Sequence, residues 1–555
     1  MASVNKGEYY CCDLAHFTDG SPTDDRQKQA IGQRVIISFS GPLPIAAAQV
    51  LIRDFCVGGV LLNASNFTDA TQASQLVSRL ASYSGGPHPF LVGIEQENGV
   101  ISHFPSQLTL GAGHSPSSTS AVSKAIGEEL AYIGIHWILA PTIDFITELT
   151  EPLDTPRKFS DDPETVSQHA RAYLDGLITT NVAASTEASL ATTIQDIYRS
   201  LDRETTDIAE LLERCEIHPI KRLLERRALE CLHLTSSLTD YDDANSAQRA
   251  FQTVIQRLLR EGLGCQAPIT VASTSHLSTD VESCAKHAPL RTLLSGSDVV
   301  LLSSDPTTQE ESIRAIYAAA RTSTFPASVL NSAADRISSF RSEFVERLAR
   351  RQQITEPSTF ALQHQNLIRN AYRASTTTLS TGLSPLLNLP ATSILLLLTP
   401  SVPPVARPNV APNADPFEPL GRAIAHFHNR TRHVPYTLSA GVTSTHAAFL
   451  DRATAVVLVL CNTSSAFVES QMEFVAAVQD RIRVRESRPG EQKTRKVALA
   501  AGDPRDLREP LDGWWEVCCY EYTVGALIAA TEVITGHRTA TGILPIRLGR
   551  HLNGG

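Results

Sequence analysis

The chain has 555 residues, 42% of them hydrophobic and 19% charged, and 48 basic against 58 acidic side chains give a formal charge of -10. This composition excludes a chain disordered throughout, and the acidic excess excludes a general electrostatic footprint for nucleic acid. At about 150 residues per domain three or four units would fit, but a barrel takes 250 or more in one piece, so two large domains fit equally well.

Residues 1–28 are polar and mixed and predict a leader. They hold no apolar segment of signal-peptide length. The longest aliphatic run, 394–398, is far too short to span a bilayer. A cytoplasmic protein is expected, with no membrane partner. Its 10 Cys are expected to be scattered reduced thiols, since the adjacent pairs Cys11-Cys12 and Cys518-Cys519 lack the spacing of a zinc site.

Strand signals follow at 34–39, 58–62 and 89–94, and at 137–141, with a further strand beginning at Val182. Helical patterns lie between them at 45–54, 70–81, 117–133 and 163–180. The series continues through a charged helix at 206–227, strands at 232–234 and 269–272, a helix at 247–260 and a strand at 298–302. Alternation of short strands with longer helices argues for βα units around a parallel sheet. The expected fold class is α/β: a TIM-like (β/α)8 barrel over 29–370 with terminal helices, among them a charged surface brace at 338–351. A linker over 371–390 and a C-terminal α/β sandwich domain over 391–555 are expected to follow. The second domain reads as strands at 393–398, 455–460 and 496–500, helices at 417–427, 465–482 and 522–535, and a Pro- and Asn-rich loop at 400–416.

Six ordered stretches then carry a resemblance. They are Gly58-Gly-Val-Leu-Leu-Asn-Ala-Ser-Asn-Phe67, Gly93-Ile-Glu-Gln-Glu-Asn-Gly-Val-Ile101, Leu139-Ala-Pro-Thr-Ile-Asp144, Arg157-Lys-Phe-Ser-Asp-Asp-Pro163, Leu294-Ser-Gly-Ser-Asp-Val-Val-Leu-Leu302 and Thr541-Gly-Ile-Leu-Pro545. Together they resemble glycoside hydrolase family 3, in its β-N-acetylhexosaminidase branch. The resemblance implies a sugar pocket at the barrel mouth, with Glu95 and Arg157 among its substrate contacts.

The departures are as informative. Where the family has a sugar-binding Lys-His pair this chain has Glu187 and Ala188, and a carboxylate cannot donate as an ammonium does. The family's Asp-x-His acid/base pair corresponds to Asp196 and Tyr198, and a phenol is a poor base at neutral pH. The family nucleophile position falls on Ala272, or on Ser273 or Thr274 in a slipped register, and the next acid is Asp280. Retaining hydrolysis needs two carboxyl groups about 5 Å apart.

Asp196 and Glu187 are therefore the catalytic candidates, and Glu95, Arg157 and Tyr198 the substrate-binding ones. Asp144 is expected to order a strand end, Asp162-Pro163 to cap a helix, and Glu516 and Glu521 near Trp514 and Trp515 to form a patch, core or interface. His103, His114 and His136 have no partners at ligand spacing, so neither a metal nor a cofactor is expected. Two functions stay open. One is hydrolysis of the O-glycosyl bonds of β-N-acetylglucosaminides or related glycosides. The other is an inactive pseudo-glycosidase that binds a sugar or a protein partner.

Overall fold

The computed structural model describes residues 22–85, 90–95, 100–200, 207–235, 244–272, 287–302, 305–322, 331, 333–342, 357–402, 414–462 and 468–549. Most of the expected leader lies outside these residues, and its end, from Pro22, belongs to a helix running to Gly32.

Eight aliphatic runs become parallel strands: β1 (Val35–Ser38), β2 (Gly59–Leu62), β3 (Leu91–Ile94), β4 (Trp137–Thr142), β5 (Ala183–Ala188), β6 (Cys231–Leu234), β7 (Ile269–Ala272) and β8 (Val299–Leu301). Each pairs with the next, and β8 returns to β1 through Val35 and Val300, so the sheet closes into a barrel. Period-two alternation divides every strand. Val60, Val92, Ile138, Ala184 and Val300 point outward and join the helices in one large core. Ile36, Leu61, Leu91, Trp137, Leu139, Ala183, Cys231, Val299 and Leu301 form a separate inner cluster. Trp137 lies across that interior, and Gly93 permits it: a Cβ there would sit 2.4 Å from the indole ring.

Of the helix expected as a surface brace at 338–351, only 338–342 are described, as the end of a helix described over 333–342. There Ala333, Ile337 and Phe340 are buried against the inner cluster and stopper the amino-terminal end of the barrel. Ions tie that end together. Asp298 accepts from Arg260 Nη2 at 2.6 Å, from Arg336 Nη2 at 2.7 Å and from the Ile269 N–H at 2.8 Å. Arg34, fully enclosed, donates to the carbonyls of Asp298 and Ser297, and burial pulls its guanidinium down to about 10.

The second sheet has the order β11-β10-β12-β13-β14-β9, from β9 (Thr377–Thr378), β10 (Leu395–Pro400), β11 (Thr431–Tyr436), β12 (Ala455–Leu460), β13 (Arg495–Ala500) and β14 (Trp515–Cys518). All pairs are parallel except β14 with β9. Every residue of β10 and β12 is buried, as helices on both faces require. Leu396, Leu398, Val456 and Leu458 meet Phe474 and Val478 of the Val468–Glu486 helix on one face. Leu395, Leu397 and Val457 meet Leu420 and Leu527 on the other.

Three expectations change. The single charged helix at 206–227 is two short ones, Ile208–Leu212 and His218–Glu225, the second starting with Pro219 in its first turn. The segment expected as a linker from 371 opens inside a helix, Pro357–Ser375, and continues into β9. Strands β11 and β14 were not legible: β11 is a half-exposed edge strand carrying Arg432, His433 and Pro435, which an edge tolerates.

The Pro357–Ser375 helix is fastened to the barrel by His364, whose Nδ1 lies 3.2 Å from Glu129 and whose Nε2 lies 3.0 Å from Glu128. Burial works against its charge, but the hydrogen bonds and charges of the two carboxylates outweigh it and raise the imidazole from 6.5 to about 9.

Two predictions follow from these ties. Asp298→Asn leaves Arg260 and Arg336 without their shared counter-charge, so chemical denaturation should report a loss of about 3–5 kcal/mol. For His364 the folded-state value is raised, so its contribution is complete below about pH 6.5 and vanishes as the pH climbs through about 9. The melting-temperature gap between the wild type and His364→Gln should therefore narrow on going from about pH 6 to about pH 10; a constant gap would contradict this assignment.

Candidate functional site

Parallel α/β barrels place their chemistry at the carboxyl ends of the strands. There, the ends of β4, β5 and β6 and the loop after β4 enclose a cleft of about 360 Å³, within the range of small-ligand sites. Its wall includes Asp144, Arg157, Lys158, Glu187 and Glu216.

Glu187 sits one residue before the end of β5, in register with Thr142 of β4 and His233 of β6. Its side chain is buried at the mouth, with 5% of the residue exposed. A carboxylate so placed requires a partner. Arg157 supplies one: its Nη2 donates to both carboxylate oxygens, at 3.0 and 2.8 Å. Arg157 closes the short Thr155–Arg157 turn, and 39% of its side chain stays open to solvent.

That turn is braced from the second domain. Thr155 Oγ1 donates to Asp503 Oδ2 at 2.8 Å. Arg505 donates to the carbonyls of Thr147 and Thr150 and to the Thr155 hydroxyl, at 3.0, 2.7 and 2.9 Å. Asp503 in turn accepts from Arg505 and caps the Pro504–Leu507 turn that follows β13. The C-terminal sheet thus fixes the loop that aims Arg157.

Deeper in the barrel, His233 Nδ1 and the Thr270 hydroxyl lie 2.8 Å apart. Burial, and after it the charge of Arg157, lower His233 to about 4, so the ring is neutral at ordinary pH. Asp144 accepts from the Ser189 N–H at 3.0 Å, the strand-end role expected of it. Burial raises its carboxyl above the ordinary range, against the nearby Lys158 charge and the Ser189 bonds. Glu216 is committed to Thr193, accepting from its N–H and its hydroxyl.

Of the residues singled out from sequence, the structure joins Arg157 to Glu187 and leaves the others apart. Glu95 is exposed just beyond β3, its N–H donating to Leu62 O. Asp196, on the Ala191–Ser200 helix, is 40% exposed in its side chain and pairs with Arg214 at 2.9 Å. Tyr198 on the same helix is half-buried against the outer core. None of these three lines the cleft among the described residues. Ala272 ends β7, two residues beyond the inward Thr270. Glu97, Ser273, Thr274, Ser275 and Asp280 lie outside the described residues. Glu516 and Glu521 are buried rather than grouped in a surface patch. Glu521 accepts from the Ser106 N–H and the Thr109 hydroxyl, and Glu516 from the Leu511 N–H. Asp162 caps the helix that Pro163 starts, as expected.

Lys158 and Glu216 were not anticipated as cleft residues. Lys158 adjoins Arg157 in a recognised motif, so position could have suggested it. Glu216 falls in the break between the two short helices that the sequence presents as one.

The sequence profile of the glycosyl hydrolase family 3 N terminal domain matches residues 28–340, the barrel and its stopper. The chain belongs to glycosyl hydrolase family 3. Family 3 relatives are distant. The beta-hexosaminidase LpqI of Mycobacterium tuberculosis (strain ATCC 25618 / H37Rv) is 27% identical over 140 residues, which is 24% of this chain and 35% of that protein. The beta-hexosaminidase of Nitrosomonas eutropha (strain DSM 101675 / C91 / Nm57) is 24% identical over 303 residues, 49% of this chain and 83% of that protein. The matched stretch thus spans only about a third of the Mycobacterium protein. Among solved structures, a glycoside hydrolase family 3 beta-N-acetylglucosaminidase from Paenibacillus sp. str. FPU-7 superposes with a TM-score of 0.73 at 20% identity, covering 94% of this chain and 98% of that one. A fungal multi-domain GH3 beta-N-acetylglucosaminidase gives 0.75 at 20% identity, covering 94% and 60%. At these identities the superpositions speak for the fold, and they extend through both domains of this family 3 chain.

In this family 3 barrel the Arg157–Glu187 pair is partly open to water, which softens its energetics. Glu187→Gln should lower stability by about 1–2 kcal/mol in chemical denaturation, less than Asp298→Asn, because solvent can rehydrate the released guanidinium.

Proposed function

We propose that this family 3 chain is of the β-N-acetylhexosaminidase-like branch and that its barrel mouth binds a sugar or glycoside without hydrolysing it. The observation that carries the reading is the ion pair of Arg157 with Glu187. The guanidinium that the resemblance assigns to the sugar is neutralised by a carboxylate of the protein itself, which stands where the family has a lysine. The carboxylate is equally committed, since both its oxygens accept from Arg157 Nη2, which leaves it a poorer nucleophile. Support also comes from Ala272 at the end of β7, which offers neither a proton nor a lone pair, and from Asp196, which faces Arg214 rather than the cleft.

A second reading has one observation in its favour. Burial raises the Asp144 carboxyl at the cleft wall, which is how general acids are made in glycosidases. Under that reading Asp144 would protonate a leaving group.

Turnover of aryl N-acetyl-β-glucosaminide and aryl β-glucoside decides between them. The binding reading expects no hydrolysis above the spontaneous rate, together with a rise in melting temperature with N-acetylglucosamine. Saturation at about 100 times Kd is worth about 2.7 kcal/mol. Hydrolysis abolished by Asp144→Asn or by Glu187→Gln would overturn it, and the variant responsible would name the acid.

A further inference from the structure

The C-terminal domain has a second concavity, and it is chemically unlike the cleft at the barrel mouth. It has a volume of about 840 Å³ and lies at the amino-terminal ends of β13 and β14, beside β9. The carboxyl-terminal side of the same sheet is occupied by the Asp503–Arg505 contacts with the barrel, and the two cavities share no lining residue.

Its lining holds Lys493, Arg495 and Lys496 and, among the described residues, no carboxylate. Arg495 is a structural member: its Nη1 donates to the carbonyls of Pro385 and Leu387 at 3.0 and 3.3 Å. Lys493 is exposed and Lys496 half-buried. Glu486 of the neighbouring helix feels the Lys496 charge. Its Oε1 is already engaged by the Thr494 N–H at 2.7 Å.

Trp514 and Trp515 form the apolar part of the lining. Both indole nitrogens are buried and, among the described residues, make no hydrogen bond. Trp515 is only partly buried, so it offers the cavity carbon rather than its indole N–H, beside the lysines of the lining. Thr378 and Ser380 add hydroxyls whose positions are fixed by Glu516, through its carbonyl and its N–H. An apolar plate with a few placed charges is the general form of a small-ligand site. Ammonium groups bind phosphate or carboxylate as point charges, and the carbon face of an indole packs against a sugar or aromatic ring.

We propose that this cavity is a second binding site, taking an oxyanion carried on a ring, with the anion at Lys493 and Lys496 and the ring against Trp515. This goes beyond the reading of the barrel mouth and does not depend on it.

Two of the three tryptophans of the chain line the cavity, and the third, Trp137, is buried inside the barrel. Intrinsic fluorescence of the full chain therefore reports on the site. Titrations would use phenyl phosphate, glucose 6-phosphate, inorganic phosphate and phenol. The expected result is a saturable change with phenyl phosphate or glucose 6-phosphate; which of the two binds tighter identifies an aromatic or a sugar carrier. Inorganic phosphate and phenol should bind at least about tenfold more weakly, since each supplies half of the contacts. The double variant Lys493→Gln/Lys496→Gln should lose at least about tenfold in affinity by both fluorescence and titration calorimetry. Trp515→Phe should weaken the optical signal, with Trp514 remaining, while calorimetry still detects binding. No saturable response to either ring phosphate, or an affinity unchanged in the double lysine variant, overturns the proposal. Inorganic phosphate binding as tightly as the ring phosphates overturns it as well.

Discussion

A charge turned toward the inside of a barrel has to be answered from within reach, and at the mouth of this one the answer is Arg157. Strand alternation leaves Glu187 no other direction, because its neighbours Thr186 and Ala188 face the helices or the strand interfaces while Ser185 and Glu187 share the inward side. The guanidinium that meets it comes from a loop rather than a strand, and Asp503 and Arg505 grip that loop from the next domain. The wall of the cleft is thus a property of both domains at once. Neither the barrel nor the sheet alone would set the position of Arg157.

The two ends of the barrel handle charge differently. At the amino end Asp298 is enclosed and answered by two guanidinium groups and a backbone N–H, an arrangement that must be complete to be tolerable. At the mouth the pair is half open, and water shares the work. The first arrangement secures the fold. The second sits at the end where parallel barrels place their chemistry, and there the two charges answer each other.

The architecture was legible because its signals are local. Aliphatic runs of a few residues separated by amphipathic stretches define each βα unit within about thirty residues. What escaped was non-local or masked. β11 carries polar residues and a proline because it is an edge, and β14 begins with Trp515, straight after Trp514, a pair that reads as patch, core or interface rather than as a strand start. The helix at 333–342 shows its charges in sequence, while its apolar face makes sense only once a barrel end exists to be closed. Within the site, both partners of the Arg157–Glu187 pair were singled out from sequence, but not as partners. They lie 30 residues apart on different elements, and no periodicity connects them. The Arg505 contacts span some 355 residues and follow from how two domains dock, which is decided by shape rather than by pattern.

The stopper formed by Ala333, Ile337 and Phe340 has a consequence for traffic. With its floor filled by Trp137 and sealed from below, the barrel is a cup rather than a pipe. Among the described residues the way in lies at the opposite end, and Arg157 stands beside it.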